Sequence, residues 1–245
     1  MKIEEEVMTK WSSLFKISGV FSWIVALLLI AEIFVFSIFP SITDPKALLI
    51  DFANNWFIGL LRFDLIGMIA YLFLIPVTLS LYYITKSANY SLSIIATCLF
   101  FVGITMFYST NTGFSVLSLS KQFVTATSED EKNIILSSCL SMITLFKVNS
   151  FMLSYIVVSV SWCIISIAMH KSKKFKKFTT ISGILAGSSG IIAEIFENVS
   201  VYLKWPAILL YFAAIVFLIF WIIGIGTLFS NENYRRKVKG KMTDI

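Results

Sequence analysis

The chain has 245 residues, of which 58% are hydrophobic and only 14% are charged, and its net charge is +6. Soluble domains average about 45–50% apolar and about 25% charged residues. The composition therefore excludes a soluble globular domain, a disordered chain and a nucleic-acid-binding module, and it indicates an integral membrane protein whose partner is the lipid bilayer.

Six apolar segments are predicted to cross the membrane, since each has the roughly 20 apolar residues that a crossing helix needs. Residues 1–16 mix aromatic and charged side chains, which predicts an interfacial helix before them. The basic residues 231–245 predict a cytoplasmic tail. The predicted fold is all-α, a single integral membrane domain over residues 1–245 built as a polytopic bundle of six transmembrane helices. The segments are residues 17–39, 56–85, 91–113, 150–168, 179–203 and 206–229.

The stretch between the third and fourth segments is predicted to be helical on both sides of a turn. The third segment continues as a helix to about Phe123, and Ser128-Glu129-Asp130-Glu131 has the form of a capping box at a helix N-terminus. A straight helix from there to His170 would measure about 60 Å, twice the hydrocarbon thickness. We therefore expect a bend near residues 147–150 and an outer helical hairpin, residues 114–145, that caps the bundle.

Lys and Arg are distributed unequally between the two ends of the segments. If both termini lie on one side, that side carries 14 of these residues and the other side carries 4. Because basic loops stay in the cytoplasm and attract the anionic inner leaflet, both termini are predicted to be cytoplasmic. The predicted location is the cytoplasmic membrane of a prokaryote, and the basic excess requires no nucleic-acid partner.

Charged side chains within the segments are the most informative feature, because each costs roughly 2.5–3.5 kcal/mol to insert. In the predicted orientation the polar side chains fall in the outer part of five segments, whereas the inner halves are almost free of charge. This pattern predicts a polar pocket that opens to the outside. Its candidate binding residues are Glu32, Arg62, Asp64, Asn111, Lys147, Asn149, Glu194 and Glu197.

Two interpretations of this polar set remain open. Its four carboxylates and two basic groups have a formal charge of −2, and Glu194 and Glu197 share one helix face, where they could hold a proton or a cation. The set is then a small-ligand or ion site of a transporter or sensor. Alternatively, the charges only brace the helices, and the protein is a structural or regulatory component that acts through protein partners.

Known catalytic and metal-binding motifs do not occur in the sequence. It has no Walker motif, HExxH, GxSxG or histidine-rich cluster, and its three cysteines form no CxxC pair. No catalytic residue, cofactor or metal is therefore predicted, and an enzyme, which would need carboxylate acid–base chemistry, is the less favoured interpretation.

Gly183 and Gly187 have the GxxxG spacing that allows two helices to approach closely. This motif favours either a homodimer through these glycines or close packing within one bundle.

Three stretches resemble an uncharacterised family of six-span bacterial and archaeal membrane proteins, known only as a domain of unknown function. They are YLFLIPVTLSLYYITKSAN at residues 71–89, LSLSKQF and ATSE within residues 117–129, and WIIGIGTL at residues 221–228. The resemblance implies a helical bundle in the cytoplasmic membrane. It implies no reaction and assigns no functional residue.

Overall fold

Ten α-helices account for most of the described chain. This computed structural model describes residues 2–40, 42, 44–199 and 201–231, without the side chains of residues 2–10, 12 and 201. The predicted tail beyond residue 231 lies outside the described residues. The helices are α1 (Lys2–Ile38), α2 (Pro45–Asn54), α3 (Trp56–Arg62), α4 (Leu65–Thr85), α5 (Tyr90–Thr110), α6 (Gly113–Thr125), α7 (Glu129–Leu145), α8 (Ser154–Ser172), α9 (Lys177–Val199) and α10 (Lys204–Ser230), with a π-helical segment (Phe146–Leu153) and a 3₁₀ turn (Val201–Leu203).

Six helical stretches are long and apolar enough to cross a membrane, so the chain is a multi-pass membrane protein and the predicted all-α, six-span bundle is confirmed. The residues predicted as a separate interfacial helix continue directly into the first span, because α1 is one uninterrupted helix. The six stretches are Ser13–Ile38, Leu65–Thr85, Tyr90–Thr125, Glu129–Ser172, Lys177–Val199 and Lys204–Ser230.

Polar side chains at the helix starts satisfy main-chain N–H groups that have no partner within the helix. Asp44 accepts from the first turn of α2, which also has Pro45 at its first position. Asn55 caps α3 in the same way. Asn89 caps α5, and the Ser128 hydroxyl accepts from the Glu131 N–H at the start of α7, as the capping box predicts. These short polar residues therefore fix where the chain enters each helix.

The described residues pack into two separate apolar cores. The larger core lies within the spans and contains the fully buried side chains of Phe100, Leu81 and Ile222. The smaller core joins α2 and α3, which connect the first two spans, to α6 and α7, which are the adjoining ends of the third and fourth apolar stretches, through residues such as Phe52 and Cys139. We call these four helices the cap. The predicted helical hairpin between the third and fourth spans is confirmed as α6 and α7, and the first connection supplies the other half of the cap.

The prediction of a single helix over residues 56–85 is wrong, because this stretch is divided into α3 and α4 at Phe63 and Asp64. Asp64 adopts φ 59° and ψ 44°, in the left-handed region, which turns the chain between the two helices. Such a conformation is uncommon for residues other than glycine, although Asp and Asn tolerate it. The turn places α3 in the cap and α4 among the spans.

A continuous helical rod of 44 residues connects the cap to the fourth span. Where a bend was expected, residues Phe146–Leu153 form wider π-helical turns and the helix continues through them into α8. At about 1.5 Å per residue the rod measures roughly 65 Å, more than twice the roughly 30 Å of hydrocarbon. One end of the rod must therefore lie outside the bilayer, and because α7 belongs to the cap, the cap is expected to lie outside the hydrocarbon region as well.

Gly183 and Gly187 face other helices of the same chain. A Cβ at Gly183 would lie 2.1 Å from Oγ of Ser166, and a Cβ at Gly187 would lie 2.5 Å from the Ser159 carbonyl oxygen. The glycines therefore bring α9 directly against α8. This is the intramolecular alternative, and it leaves no room at these two positions for a helix of a second copy.

Serines link α1 to α4 within the membrane. The hydroxyl of Ser18 donates to the Pro76 carbonyl oxygen at 2.8 Å and lies 2.8 Å from the Ser80 hydroxyl. Both serines are fully buried. Interhelical hydrogen bonds of this kind hold spans together where the hydrophobic effect between them is weak.

Candidate functional site

A cavity of about 250 Å³ lies between α1, α4, α8 and α10. It is close to the cap, since Asp64 at the start of α4 and Phe151 in the π-helical segment both line it. Its volume is slightly below the roughly 300–1,000 Å³ of pockets that hold drug-sized ligands, so it fits a small molecule. The lining residues are Leu29, Glu32, Phe36, Asp64, Gly67, Ala70, Tyr71, Leu74, Phe151, Tyr155, Trp162, Tyr211, Ile215 and Leu218.

Two carboxyl groups meet in the wall of this cavity. Glu32 comes from α1 and Asp64 from the junction between α3 and α4, and both side chains line the cavity, close enough to interact electrostatically. Asp64 is only 5% exposed, whereas Glu32 is half-buried because it faces the open space of the cavity. Two like charges side by side in a buried wall repel each other, so sharing one proton between the two carboxyl groups is the favoured arrangement.

The backbone of α4 holds the Asp64 carboxylate in place. Its Oδ1 accepts a hydrogen bond of 2.9 Å from the Gly67 N–H and so caps the helix. A carboxylate at a helix N-terminus is also favoured by the helix dipole. Asp64 thus has a structural role in addition to any role in the cavity.

Aromatic rings form most of the remaining wall. Phe151 and Tyr155 are stacked with 6.3 Å between ring centroids, and Tyr155 meets Trp162 edge-on at 6.1 Å. These contacts run along one face of the helix through the π-helical segment and α8. On the other sides Phe36, Tyr71 and Tyr211 complete a set of six rings. The cavity is therefore an aromatic box with a carboxyl pair in its wall.

A third carboxyl group lies immediately behind this wall. Glu194 on α9 is 2% exposed, and it interacts electrostatically with Tyr155 and Tyr211, both of which line the cavity. Among the described residues, neither Oε1 of Glu194 nor the hydroxyl of Tyr211 has a hydrogen-bond partner of normal geometry. Buried polar atoms without a partner are costly and uncommon. Glu197, one turn further along α9, is exposed and also interacts with Tyr211.

Arg62 and Asn111 do not reach the cavity. Arg62 pairs with Asp51 on α2, with 3.5 Å between Nη2 and Oδ2, and donates to the Pro40 carbonyl oxygen at 3.3 Å. Asn111 donates from Nδ2 to the Phe63 carbonyl oxygen at 2.8 Å. Both side chains connect the cap to the ends of spans, which is the bracing role that the sequence left open.

Lys147 and Asn149 lie on the π-helical segment, and neither lines the cavity. Lys147 is exposed and Asn149 is half-buried. Of the eight sequence-predicted residues, the structure brings Glu32 and Asp64 together in the cavity and puts Glu194 behind its wall. The described lining contains no basic side chain.

The aromatic members of the site were not singled out from the sequence. Phe151, Tyr155 and Trp162 follow one another at intervals of four and seven residues, which is one face of a helix. The same spacing is typical of core packing, so it did not distinguish a cavity wall from buried contacts. Among the described residues, no group of three or more His, Cys, Asp or Glu is arranged to hold a metal ion.

Comparison of the chain with protein-family models, with curated proteins and with solved structures found no match. The resemblance to the uncharacterised six-span family therefore stays a prediction.

Proposed function

We propose that this membrane protein binds a small ligand in the cavity between α1, α4, α8 and α10, and that the ligand reaches it from the outer side. The observation that carries the proposal is that the carboxyl groups of Glu32 and Asp64 both lie in the wall of a cavity of about 250 Å³. Binding of this kind serves a transporter or a membrane sensor.

The free-energy cost of placing carboxyl groups within the membrane supports a ligand site. An acidic side chain within a span is expensive, and such residues generally mark substrate or ion pathways. Asp64 also caps α4, but capping needs only an uncharged oxygen, which Asn supplies while it also tolerates the left-handed backbone at this position. Glu32 caps no helix. Two acids that share one wall of a cavity are therefore better explained by something that enters the cavity.

The distribution of Lys and Arg supports access from outside. The cavity is next to the cap, whereas the basic residues Lys86, at the end of α4, and Lys171, in the last turn of α8, lie at the opposite ends of the spans. Because basic connections are retained in the cytoplasm, we assign the cap to the outer face of a prokaryotic cytoplasmic membrane and both termini to the cytoplasm.

The alternative function, a structural component braced by its charges, is supported by Arg62 and Asn111. Both contact other parts of the chain and neither lines the cavity. Bracing accounts for these two residues, but it does not account for the position of Glu32.

Cysteine labelling in intact cells tests the proposal. Ile215 lines the cavity, whereas Phe212, three residues away on α10, is 59% exposed on the outer surface of the bundle, where lipid is expected. In a chain whose Cys98, Cys139 and Cys163 are replaced by serine, we expect Ile215→Cys to react with a hydrophilic, membrane-impermeant methanethiosulfonate added outside the cells. The matched variant Phe212→Cys should stay unlabelled, because lipid excludes the reagent.

Each outcome decides one part of the proposal. Labelling of Ile215→Cys from outside supports a hydrated, outward-facing pocket. Labelling only in inside-out vesicles would reverse the orientation and reject outer access. Absence of labelling from either side, with full labelling after denaturation, would mean that the cavity is dry and that the bracing function is correct.

A further inference from the structure

We propose that the pocket binds a small organic cation of single charge, an alkylammonium held against the Glu32–Asp64 pair and surrounded by aromatic rings. The inference rests on the proposed function and names the chemical class of its ligand.

The charge of the cavity wall selects a cation. Glu32 and Asp64 are the acidic side chains of the described lining, which includes no Lys, Arg or His to neutralise them. An anionic ligand would add negative charge beside two acidic side chains, which is repulsive. A ligand with one positive charge neutralises the pair without removing its proton.

The aromatic lining selects an organic cation over a metal ion. The faces of Trp and Tyr rings attract ammonium groups and are the usual walls of sites for quaternary ammonium. Tyr155, Trp162 and Tyr211 supply such rings on two sides of the cavity. Calcium and magnesium need about six or more oxygen ligands, whereas the described wall is mainly hydrocarbon and aromatic. Rings stabilise an alkylammonium by cation–π attraction and by burial of its alkyl groups.

Glu194 is an independent observation that points the same way. It is almost completely buried, one of its oxygens has no partner among the described residues, and it lies against Tyr211. A carboxyl oxygen behind a tyrosine adds partial negative charge next to the ring, which makes the ring more attractive to a cation on its other face. The third carboxyl group thus adds to the preference that the pair establishes.

The charge of the labelling reagent tests this inference on the Ile215→Cys protein. Trimethylammonioethyl methanethiosulfonate carries the proposed head group, and sulfonatoethyl methanethiosulfonate is its anionic counterpart. We define the selectivity ratio as the labelling rate of the cationic reagent divided by that of the anionic reagent. We expect this ratio to exceed the ratio for a free thiol in solution by roughly tenfold or more, because a negative cleft concentrates cations. A ratio equal to the solution value would overturn the inference while leaving a hydrated pocket, and hence the proposed function, in place.

The decisive variant removes both carboxyl groups. Each of Glu32 and Asp64 can carry the charge alone, so Glu32→Gln or Asp64→Asn should lower the ratio only in part, and the double variant should return it to the solution value. The matched control is Glu131→Gln, which removes an exposed carboxylate of the cap and should leave the ratio unchanged. If the double variant does not fold, the two single variants and the control still give the order of ratios. The proposal is rejected if the ratio is as low in Glu131→Gln as in the single variants, or if neither Glu32→Gln nor Asp64→Asn lowers it.

Protection by unreactive compounds separates an organic cation from an inorganic one. Choline and tetraethylammonium, each at about ten times its Kd, should slow labelling of Ile215→Cys roughly tenfold. The uncharged tert-butyl analogue of choline should not slow it. Protection by calcium or sodium chloride without protection by any alkylammonium would indicate a metal-ion site and overturn the inference, as would equal protection by the uncharged analogue.

Discussion

The side chain of Asp64 occupies the space that a side chain at residue 67 would need. A Cβ built on Gly67 would lie 2.3 Å from Oδ2 of Asp64, while the Gly67 N–H donates to Oδ1 of the same carboxylate. The absence of a side chain at Gly67 is therefore a condition for the carboxyl pair in the cavity.

Gly67→Ala should displace the Asp64 carboxylate and weaken both the cap of α4 and the carboxyl pair. Overpacking at a buried site typically costs about 1–3 kcal/mol, and we expect a lower melting temperature in detergent together with a smaller cation preference at Ile215→Cys. Gly226→Ala is the matched control, because its nearest contact would be Ser22 Cβ at 3.1 Å. If Gly67→Ala and the control are equally stable and equally selective, the dependence on Gly67 is wrong.

Asp64→Asn and Asp64→Ala should have different effects on stability. Asparagine tolerates the left-handed conformation at residue 64 and its amide oxygen can cap α4, whereas alanine provides no cap and is strained at positive φ. We expect Asp64→Ala to lower the free energy of unfolding by about 2 kcal/mol relative to Asp64→Asn. Thermal unfolding of the two purified variants measures the difference, and equal stability would contradict the capping role.

Arg62→Gln should lower stability without changing the pocket. The substitution breaks the ion pair with Asp51 and the bond to the Pro40 carbonyl oxygen, a loss of about 1–2 kcal/mol for a partly buried charged group. Lys147→Gln, which changes an exposed basic residue, is the control, and its free energy of unfolding should differ from that of wild type by less than about 0.5 kcal/mol. Both variants should keep the reagent selectivity of Ile215→Cys, and a loss of selectivity in Arg62→Gln would place Arg62 in the site after all.

Gly187→Ala should destabilise the single chain and leave its oligomeric state unchanged. The added methyl group would lie 2.5 Å from both the Ser159 carbonyl oxygen and Sγ of Cys163, so α9 must move away from α8. We expect a loss of about 2 kcal/mol and an unaltered mass in native mass spectrometry. Conversion of a dimer to a monomer, with little loss of stability, would instead support a homodimer through the glycine motif.

Ser18→Ala should weaken the contact between α1 and α4. Interhelical hydrogen bonds in membranes average about 0.6 kcal/mol, and Ser18 makes two, to the Pro76 carbonyl oxygen and to Ser80. Ser37→Ala removes only a bond to the Ile33 carbonyl oxygen within an exposed turn and serves as control. A double-mutant cycle of Ser18 and Ser80 isolates their coupling, and a coupling of zero would show that the pair does not hold the helices together.

The six spans could be predicted from the sequence, because the length of an apolar run is a one-dimensional property. Which side of a span faces the cavity could not be predicted. A span is apolar on all sides, so its hydrophobic pattern does not separate lipid contacts from helix contacts. Tyr211 and Phe212 are neighbours on α10, yet one lines the cavity and the other is exposed.

The turn at Asp64 explains the largest error. Arg62 and Asp64 are two residues apart and were assigned to one site, but the left-handed backbone at Asp64 directs one side chain into the cap and the other into the cavity. A backbone dihedral is not visible in an apolar sequence. The helix α2 was not predicted either, although Asp44-Pro45 is a favoured cap and first residue of a helix.

The core of the cap joins two parts of the chain that are synthesised at different times. Leu49 and Phe52 follow the first span, and they pack with Ile135 and Ile143, which are made only after the third span. During biosynthesis the apolar face of α2 therefore lacks these packing partners until two further spans have been synthesised. Ile143 is the last of these partners to be synthesised, so the core of the cap cannot form until more than half of the chain has been translated.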